Sequence, residues 1–132
     1  ILSAVLVFIL SFTLFGYFQF FGPISVNLES ETIDQIGFIH FSNEGDWQTI
    51  YVDESEKEPL LQELHEIKFR KTMGECRCMG EAKVIIEYLD ESQVKFDGFY
   101  LEKTSSSGQV KYYPLRQFDE IVTQLYIDYI FE

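Results

Sequence analysis

The first 22 residues of the chain carry no charged side chain, and the first charge along the sequence is Glu29. An α-helix rises about 1.5 Å per residue, so roughly 20 apolar residues match the hydrocarbon thickness of a bilayer. A core helix of a small domain would need a polar face, and the polar residues of this run are too few and too scattered to form one: Ser3, Ser11, Thr13 and Gln19. The run therefore predicts a transmembrane helix over residues 1–22.

A cleaved secretory signal is the alternative interpretation of this run. Such a signal has an apolar region of about 7 to 15 residues followed by small residues at the cleavage site. Here the apolar run is longer and ends in bulky rings, so we expect an uncleaved single-pass anchor. No Lys or Arg lies between Gly22 and Lys57, so basic charge does not hold the following chain in the cytoplasm. We expect a membrane protein whose domain is extracytoplasmic.

The remaining chain of roughly 110 residues has the commonest size of a single domain. With 46% hydrophobic and 17% aromatic residues, the protein does not have the composition of a disordered chain. We expect a linker or a short leading strand at 23–33 and one α+β domain at 34–132.

The first half of the domain predicts a hairpin and a helix. Residues 34–42 and 47–53 are rich in β-branched and aromatic types and flank a turn in which Gly45 is available for positive φ. Next, Leu60, Leu64 and Ile67 fall on one helical face. Pro59 suits the first turn of that helix, predicted near 56–66.

The second half predicts four strands and a last helix. The strands are expected at 67–73, 82–89, 93–103 and 109–113. Pro114 is expected to open a helix whose apolar stripe is Leu115, Phe118, Ile121, Val122, Leu125 and Tyr129. The predicted order is β-β-α-β-β-β-β-α. Tight turns favour an antiparallel sheet of five or six strands, with both helices on one face.

Charge is concentrated in one part of the chain. Residues 23–66 hold eleven acidic residues and one base, Lys57, in a chain of net charge −12. This balance excludes nucleic acid, whose phosphates require Lys and Arg, as a partner. It favours a basic protein partner, although an acidic surface that only keeps the domain soluble remains the alternative. The candidate docking residues are Glu44, Asp46, Asp53, Glu54, Glu56, Glu58, Glu63 and Glu66.

A C-x-C sequence, Cys76-Arg77-Cys78, is the one cluster with reactive side chains. Neighbouring bases favour thiolate, and in an extended chain residues i and i+2 point the same way, so the two sulfurs have the spacing for a disulfide or for a shared soft metal. A zinc site needs four ligands, and only His40 and His65 are available to complete it. Structural or inert cysteines, a disulfide in an oxidising compartment, and a redox or metal role all stay open.

Nothing else in the sequence indicates catalysis. The chain has no G-x-S-x-G, H-E-x-x-H, P-loop or G-x-G-x-x-G sequence, and Asp53 to Glu58 lacks the glycine of a calcium loop. We expect neither enzymatic activity nor a cofactor. The function predicted is a non-catalytic, membrane-anchored interaction domain, such as an inhibitor, an immunity-type protein or an accessory subunit. The alternative is a thiol, disulfide or metal module centred on Cys76 and Cys78.

Overall fold

The computed structural model describes residues 1–72, 82–115 and 119–130. Helix α1, Leu2–Phe21, is followed by a short 3-10 helix, Ser30–Thr32. The elements after it are β1 (Ile33–Phe41), β2 (Trp47–Tyr51), α2 (Glu54–His65), β3 (Ala82–Tyr88), β4 (Gln93–Phe96), β5 (Tyr100–Thr104), β6 (Val110–Pro114) and α3 (Asp119–Ile130). The α+β class is confirmed, and the order of the elements roughly matches the prediction.

Helix α1 stands apart from the packing of the domain. None of its residues is buried, and its mean hydropathy is 2.0 over a length of 20 residues. It is thus long enough and apolar enough to cross a membrane. The helix ends at Gly22, whose amide donates to the Phe18 carbonyl oxygen at 3.1 Å.

The six strands form one antiparallel sheet in the order β2-β1-β3-β4-β5-β6. Both helices of the domain cover the same face, because the apolar residues of α2 and α3 join those of the strands in one core cluster. Leu60 and Leu64 of α2 are fully buried there, as predicted. The sheet contributes Ile36, Phe38, Val84, Ile86, Val94, Phe96 and Leu101.

The β1–β2 hairpin is confirmed. Its register pairs Phe41 with Trp47, and Gly45 in the turn has φ +89°, a left-handed conformation that glycine adopts without strain. The β5–β6 hairpin also forms where Gln109 to Tyr113 was expected to pair back, since Thr104 pairs with Val110 across the serine-rich turn.

The predicted strand at 67–73 is wrong over its described residues. Ile67 and Phe69 are buried, but they do not belong to a strand. Arg70 and Lys71 form isolated β-bridges, the first with Pro23 and the second with Leu115. The alternating pattern records burial of every second side chain, which does not require a continuous ladder.

The predicted strand at 93–103 is two strands. The Asp97 carboxylate accepts hydrogen bonds from the amides of Phe99 at 2.7 Å and Tyr100 at 2.8 Å, so the chain reverses after Phe96. The dipeptide Asp97-Gly98 between alternating apolar residues is a strong hairpin signal, and the sequence interpretation overlooked it.

Both predicted helix starts are also corrected. Helix α2 begins at Glu54, so Pro59 lies inside it. The carboxylates of Glu54 and Glu56 in its first turn stabilise this start, because they lie at the positive end of the helix dipole. Pro114 ends β6 instead of opening a helix. The Leu115 amide donates to the Phe99 carbonyl at 2.7 Å, which keeps the chain extended there, and α3 begins at Asp119.

Residues 23–32 are packed against the domain. Ile24 and Leu28 belong to the core cluster, and the Ile24 amide donates to the Phe69 carbonyl at 2.8 Å. Lys71 connects this region to α1, since its Nζ donates to the Gln19 carbonyl at 3.2 Å. The segment after the apolar helix is therefore part of the fold.

Candidate interaction surface

The single base of residues 23–66 is turned into the protein. Lys57 is 8% exposed, and its Nζ donates to the carbonyl oxygen of Ile33 at 2.7 Å. It precedes Leu60 by three residues, so it lies on the buried stripe of α2. The Lys57 ammonium also forms an ion pair with Glu54, with Nζ 3.6 Å from Oε1. The exposed carboxylates around it therefore have no other base among them within residues 23–66.

The eight predicted docking residues lie at the protein surface. Seven are exposed and Glu56 is partly buried. They occupy three places along the chain: the β1–β2 turn, the start of α2, and the rest of α2 with the residue that follows it. In that order they are Glu44 and Asp46; Asp53 and Glu54; and Glu56, Glu58, Glu63 and Glu66.

Two of these acids also take part in packing α2 near α3. Burial raises the pKa of Tyr129 to about 12, helped by the nearby carboxylate of Glu63, which hydrogen-bonds the phenol, and by that of Glu56. Glu63 and Glu56 are therefore poor choices for charge reversal. Glu44, Asp53 and Glu58 are better probes of the surface.

An aromatic patch adjoins the acidic residues on the sheet face opposite α2 and α3. We call it the β2 patch; it consists of Phe41, Trp47 and Tyr51, which are 56%, 42% and 41% exposed. The register places these three side chains on the same face. Phe41 and Trp47 meet edge to face, with ring centroids 5.4 Å apart.

The rings of the β2 patch are held in place by their neighbours. Lys83 lies over Trp47, with its Nζ 5.4 Å from the ring centroid. Tyr51 crosses Gly37, and its hydroxyl donates to Glu87 Oε1 at 2.8 Å. A Cβ at Gly37 would lie 2.9 Å from Tyr51 Cδ1, so the glycine permits this close approach. The patch is thus preorganised.

Sequence reasoning missed this patch. Strands β4 to β6 are also rich in aromatic residues, but Phe96 is buried at 1% exposure and stacks edge to face on Phe69, with ring centroids 4.9 Å apart. Tyr112 on β6 is exposed. The predicted four-residue turn at 43–46 pairs residue 42 with residue 47, which would place the rings of Phe41 and Trp47 on opposite faces. The observed register is shifted by one residue and pairs Phe41 with Trp47, which brings both rings to one face.

The predicted thiol site, Cys76 and Cys78, lies outside the described residues. His40 and His65 lie on different elements, β1 and the end of α2. His40 packs against Tyr126, with ring centroids 5.3 Å apart, whereas His65 borders the groove beside Pro23 and Lys68. Over residues 1–72, 82–115 and 119–130, no three His, Cys, Asp or Glu side chains form a group suited to a metal ion.

A cavity of about 530 Å³ lies between residues 25–32 and the β3–β4 turn. Lys103 and Tyr88 line it, but both are bonded to the chain that forms its wall: the Lys103 ammonium donates to the Ser25 carbonyl, and the Tyr88 hydroxyl to the Asn27 carbonyl at 2.6 Å. Burial, with some help from Asp90, raises the pKa of Tyr88 to about 12. These two groups hold residues 25–27 on the sheet.

Comparison with known proteins gives no family to which the chain belongs. No family model matches it, and neither a curated protein nor a solved structure is detectably similar to it.

Proposed function

We propose that this protein is a membrane-anchored, non-catalytic interaction domain that docks a basic protein partner through its acidic surface. The observation that carries the proposal is the inward orientation of Lys57 among exposed carboxylates. Inward burial of the single base of residues 23–66 leaves acidic side chains in the majority at the surface of the β1–β2 turn and α2. Such a surface speeds the encounter with a partner of opposite charge.

The anchor is helix α1, and the domain is extracytoplasmic in this proposal. The length and apolar composition of Leu2–Phe21 support the anchor. The absence of Lys and Arg between Gly22 and Lys57 supports the orientation. A cleaved signal is the competing reading of the same segment. It is distinguished by the size of the product and by its retention in membranes after an alkaline carbonate wash.

The experiment compares two charge-reversed variants of the full chain, extracted in mild detergent from washed membranes. One carries Glu44→Lys, Asp53→Lys and Glu58→Lys. The control carries Glu29→Lys, Glu31→Lys and Asp128→Lys, which changes the formal charge equally at exposed sites outside the predicted docking set. We expect a partner that co-purifies with wild type and with the control, but is lost from the first variant.

The mechanism is checked by the kinetics of partner binding at two salt concentrations. We expect the first variant to associate about tenfold or more slowly at low salt and to lose most of the salt dependence, since screening acts on exposed charges. Equal binding by both variants would mean that the acidic surface only solubilises the domain.

The alternative of a thiol or metal module at Cys76 and Cys78 stays a prediction. Thiol titration with and without reductant, together with metal analysis of the purified protein, distinguishes it. Stoichiometric metal, or a thiol pair that cycles reversibly with redox buffer, would replace the interaction proposal by this one.

A further inference from the structure

Strand β2 is the last strand at one side of the sheet, and its outer edge carries backbone groups that β1 does not use. The Val52 amide donates to Ile36 at 2.9 Å and the Ser42 amide to Asp46 at 2.7 Å. Hydrogen-bonded pairs alternate along an antiparallel ladder, so Gln48 and Ile50 bond to β1. The N–H and C=O groups of the other three residues therefore point outward: Trp47, Thr49 and Tyr51.

The same alternate residues bring the β2 patch to this edge. The side chains of Trp47, Thr49 and Tyr51 lie together on the face opposite the helices, and all three residues are exposed. A strand added beside β2 would hydrogen-bond to their backbones and lay its own alternate side chains against the two fixed rings.

Within the described part of the chain, the β2 edge lacks three features by which proteins protect a sheet edge, namely Lys, Pro and a bulge. Strand β2 contains neither Lys nor Pro, and its pairing with β1 runs without a bulge. The opposite edge differs, because β6 contains Lys111 and Pro114. Residues 71 and 72 also extend that edge: Lys71 pairs with Leu115, and the Thr72 amide donates to the Pro114 carbonyl at 3.1 Å.

Charge at the two ends of β2 selects the occupant of the edge. Glu44 and Asp46 lie before the strand, and Asp53 and Glu54 follow it, with no base among residues 44–54. Five residues span roughly 17 Å at about 3.4 Å each, so a partner strand with bases on both flanks reaches both acidic ends. A second copy pairing antiparallel through β2 would bring the acids of one end beside those of the other and be repelled.

We propose that the β2 edge binds an extended segment of a partner protein as a seventh strand. That segment has a β-branched or apolar centre of about five residues with Lys or Arg on both sides. The inference rests on the proposed function, because the flanking acids belong to the same surface, and it adds the conformation and composition of what is bound.

The first test uses the full chain in nanodiscs of uncharged lipid and a labelled peptide, Lys-Lys-Thr-Val-Thr-Val-Thr-Lys-Lys. Two further versions are N-methylated, one on the odd and the other on the even residues of the centre. Because alternate amides of a strand point to opposite edges, each version lacks the N–H donors of one edge of the peptide. We expect one version to bind about tenfold or more weakly and the other to bind like the parent, because only one edge pairs with β2. A version with Glu in place of Lys is expected not to bind.

The second test changes the protein. Thr49→Pro removes an outward N–H that takes no part in the β1 ladder, so the hairpin is expected to survive while peptide binding is lost. Thr49→Val keeps the amide and is the matched control. Hydrogen exchange supplies a residue-specific measure: the peptide should newly protect the amides of Trp47, Thr49 and Tyr51, whereas Gln48 and Ile50 are protected without it.

Binding that depends on one methylated edge and on charge supports the proposal, and this result stands even if Thr49→Pro does not fold. Equal effects of both methylated peptides, or no binding by the parent peptide, would overturn strand addition. If the free protein dimerises and Thr49→Pro abolishes the dimer, the β2 edge serves self-association and the proposal of a bound partner segment is wrong. Failure of strand addition leaves the acidic surface intact as a proposal, since loss of the native partner on reversing Glu44, Asp53 and Glu58 is measured separately.

Discussion

The two edges of the sheet differ in the charged residues near them and in whether further chain pairs with them. The β2 edge has acidic residues at both ends and is open along its length among the described residues. At the β6 edge, Lys71, Lys103 and Lys111 lie near one another. The pKa of Lys103 is lowered, mainly by burial and further by the positive charges of Lys111 and Lys71. Both Lys71 and Lys103 lie over the ring of Tyr113, at 5.7 and 6.0 Å from its centroid.

Three of the protein's ten bases hold its own chain together. Lys57, Lys71 and Lys103 each donate to a backbone carbonyl, at Ile33, Gln19 and Ser25. Of these three, Lys57 is the one that lies within the acidic segment, residues 23–66. The acidic surface is therefore more uniform in sign than the composition alone implies.

The largest expected difference between the edges comes from replacing one phenylalanine near each. Phe69, 6% exposed, packs under the β6 half, whereas Phe41, 56% exposed, lies in the β2 patch. We expect Phe69→Ala to lower the free energy of unfolding by about 3–5 kcal/mol and Phe41→Ala by less than about 1 kcal/mol. Urea unfolding followed by circular dichroism measures both. Similar losses would show that the β2 patch is part of the core.

The two hairpin turns are expected to differ by a smaller amount. The buried Asp97 carboxylate accepts two backbone amides, while Asp46, in the turn beside β2, is exposed and bonds Ser42 Oγ. Asp97→Ala should cost about 1–3 kcal/mol because two amides lose their acceptor, and Asp46→Ala about 0.5 kcal/mol or less. Asp97→Asn keeps the acceptor oxygen and should restore most of the loss. If Asp97→Ala is as mild as Asp46→Ala, the β4–β5 turn does not depend on this side chain.

The smallest expected effect concerns the alkaline titration of two tyrosines. The pKa of both Tyr129, beside α2, and Tyr88, beside residues 25–27, is raised from 10.0 to about 12. Their contribution to stability is complete below pH 10 and is lost as pH rises through 12. Tyr129→Phe and Tyr88→Phe should each make the fall in unfolding free energy over that window shallower.

The carboxylate that helps raise one of these pKa values separates the two tyrosines. Glu63→Gln should lower the pKa of Tyr129 and leave Tyr88 unchanged, because Glu63 contributes only to the shift of Tyr129. The two pKa values are measured from the absorbance change on tyrosine ionisation. Comparing Glu63→Gln with its double variants, which add Tyr129→Phe or Tyr88→Phe, assigns the shift to one tyrosine. An equal shift of both phenols would mean that Glu63 acts through general net charge.

Much of the fold was readable from patterns that are local in sequence. The apolar run, the Gly45 turn and the Leu60–Leu64 spacing predicted α1, the first hairpin and α2, because each depends on neighbours within a few residues. The errors arose where the chain is decided by distant contacts. Leu115 is held extended by Phe99, and Phe69 is buried against Phe96 without joining a continuous ladder.

The sequence by itself determined the apolar helix, the α+β class and the concentration of acids in residues 23–66, since these follow from composition and short-range period. Only the tertiary structure decided that Lys57 points inward, that Tyr51 crosses Gly37 to reach Glu87, and that β2 lies at an edge. Burial and strand order depend on which distant segments meet. The same residues 44–66 would carry the same charge in any fold, but this packing brings aromatic rings beside the acids and leaves the outer edge of β2 unpaired among the described residues.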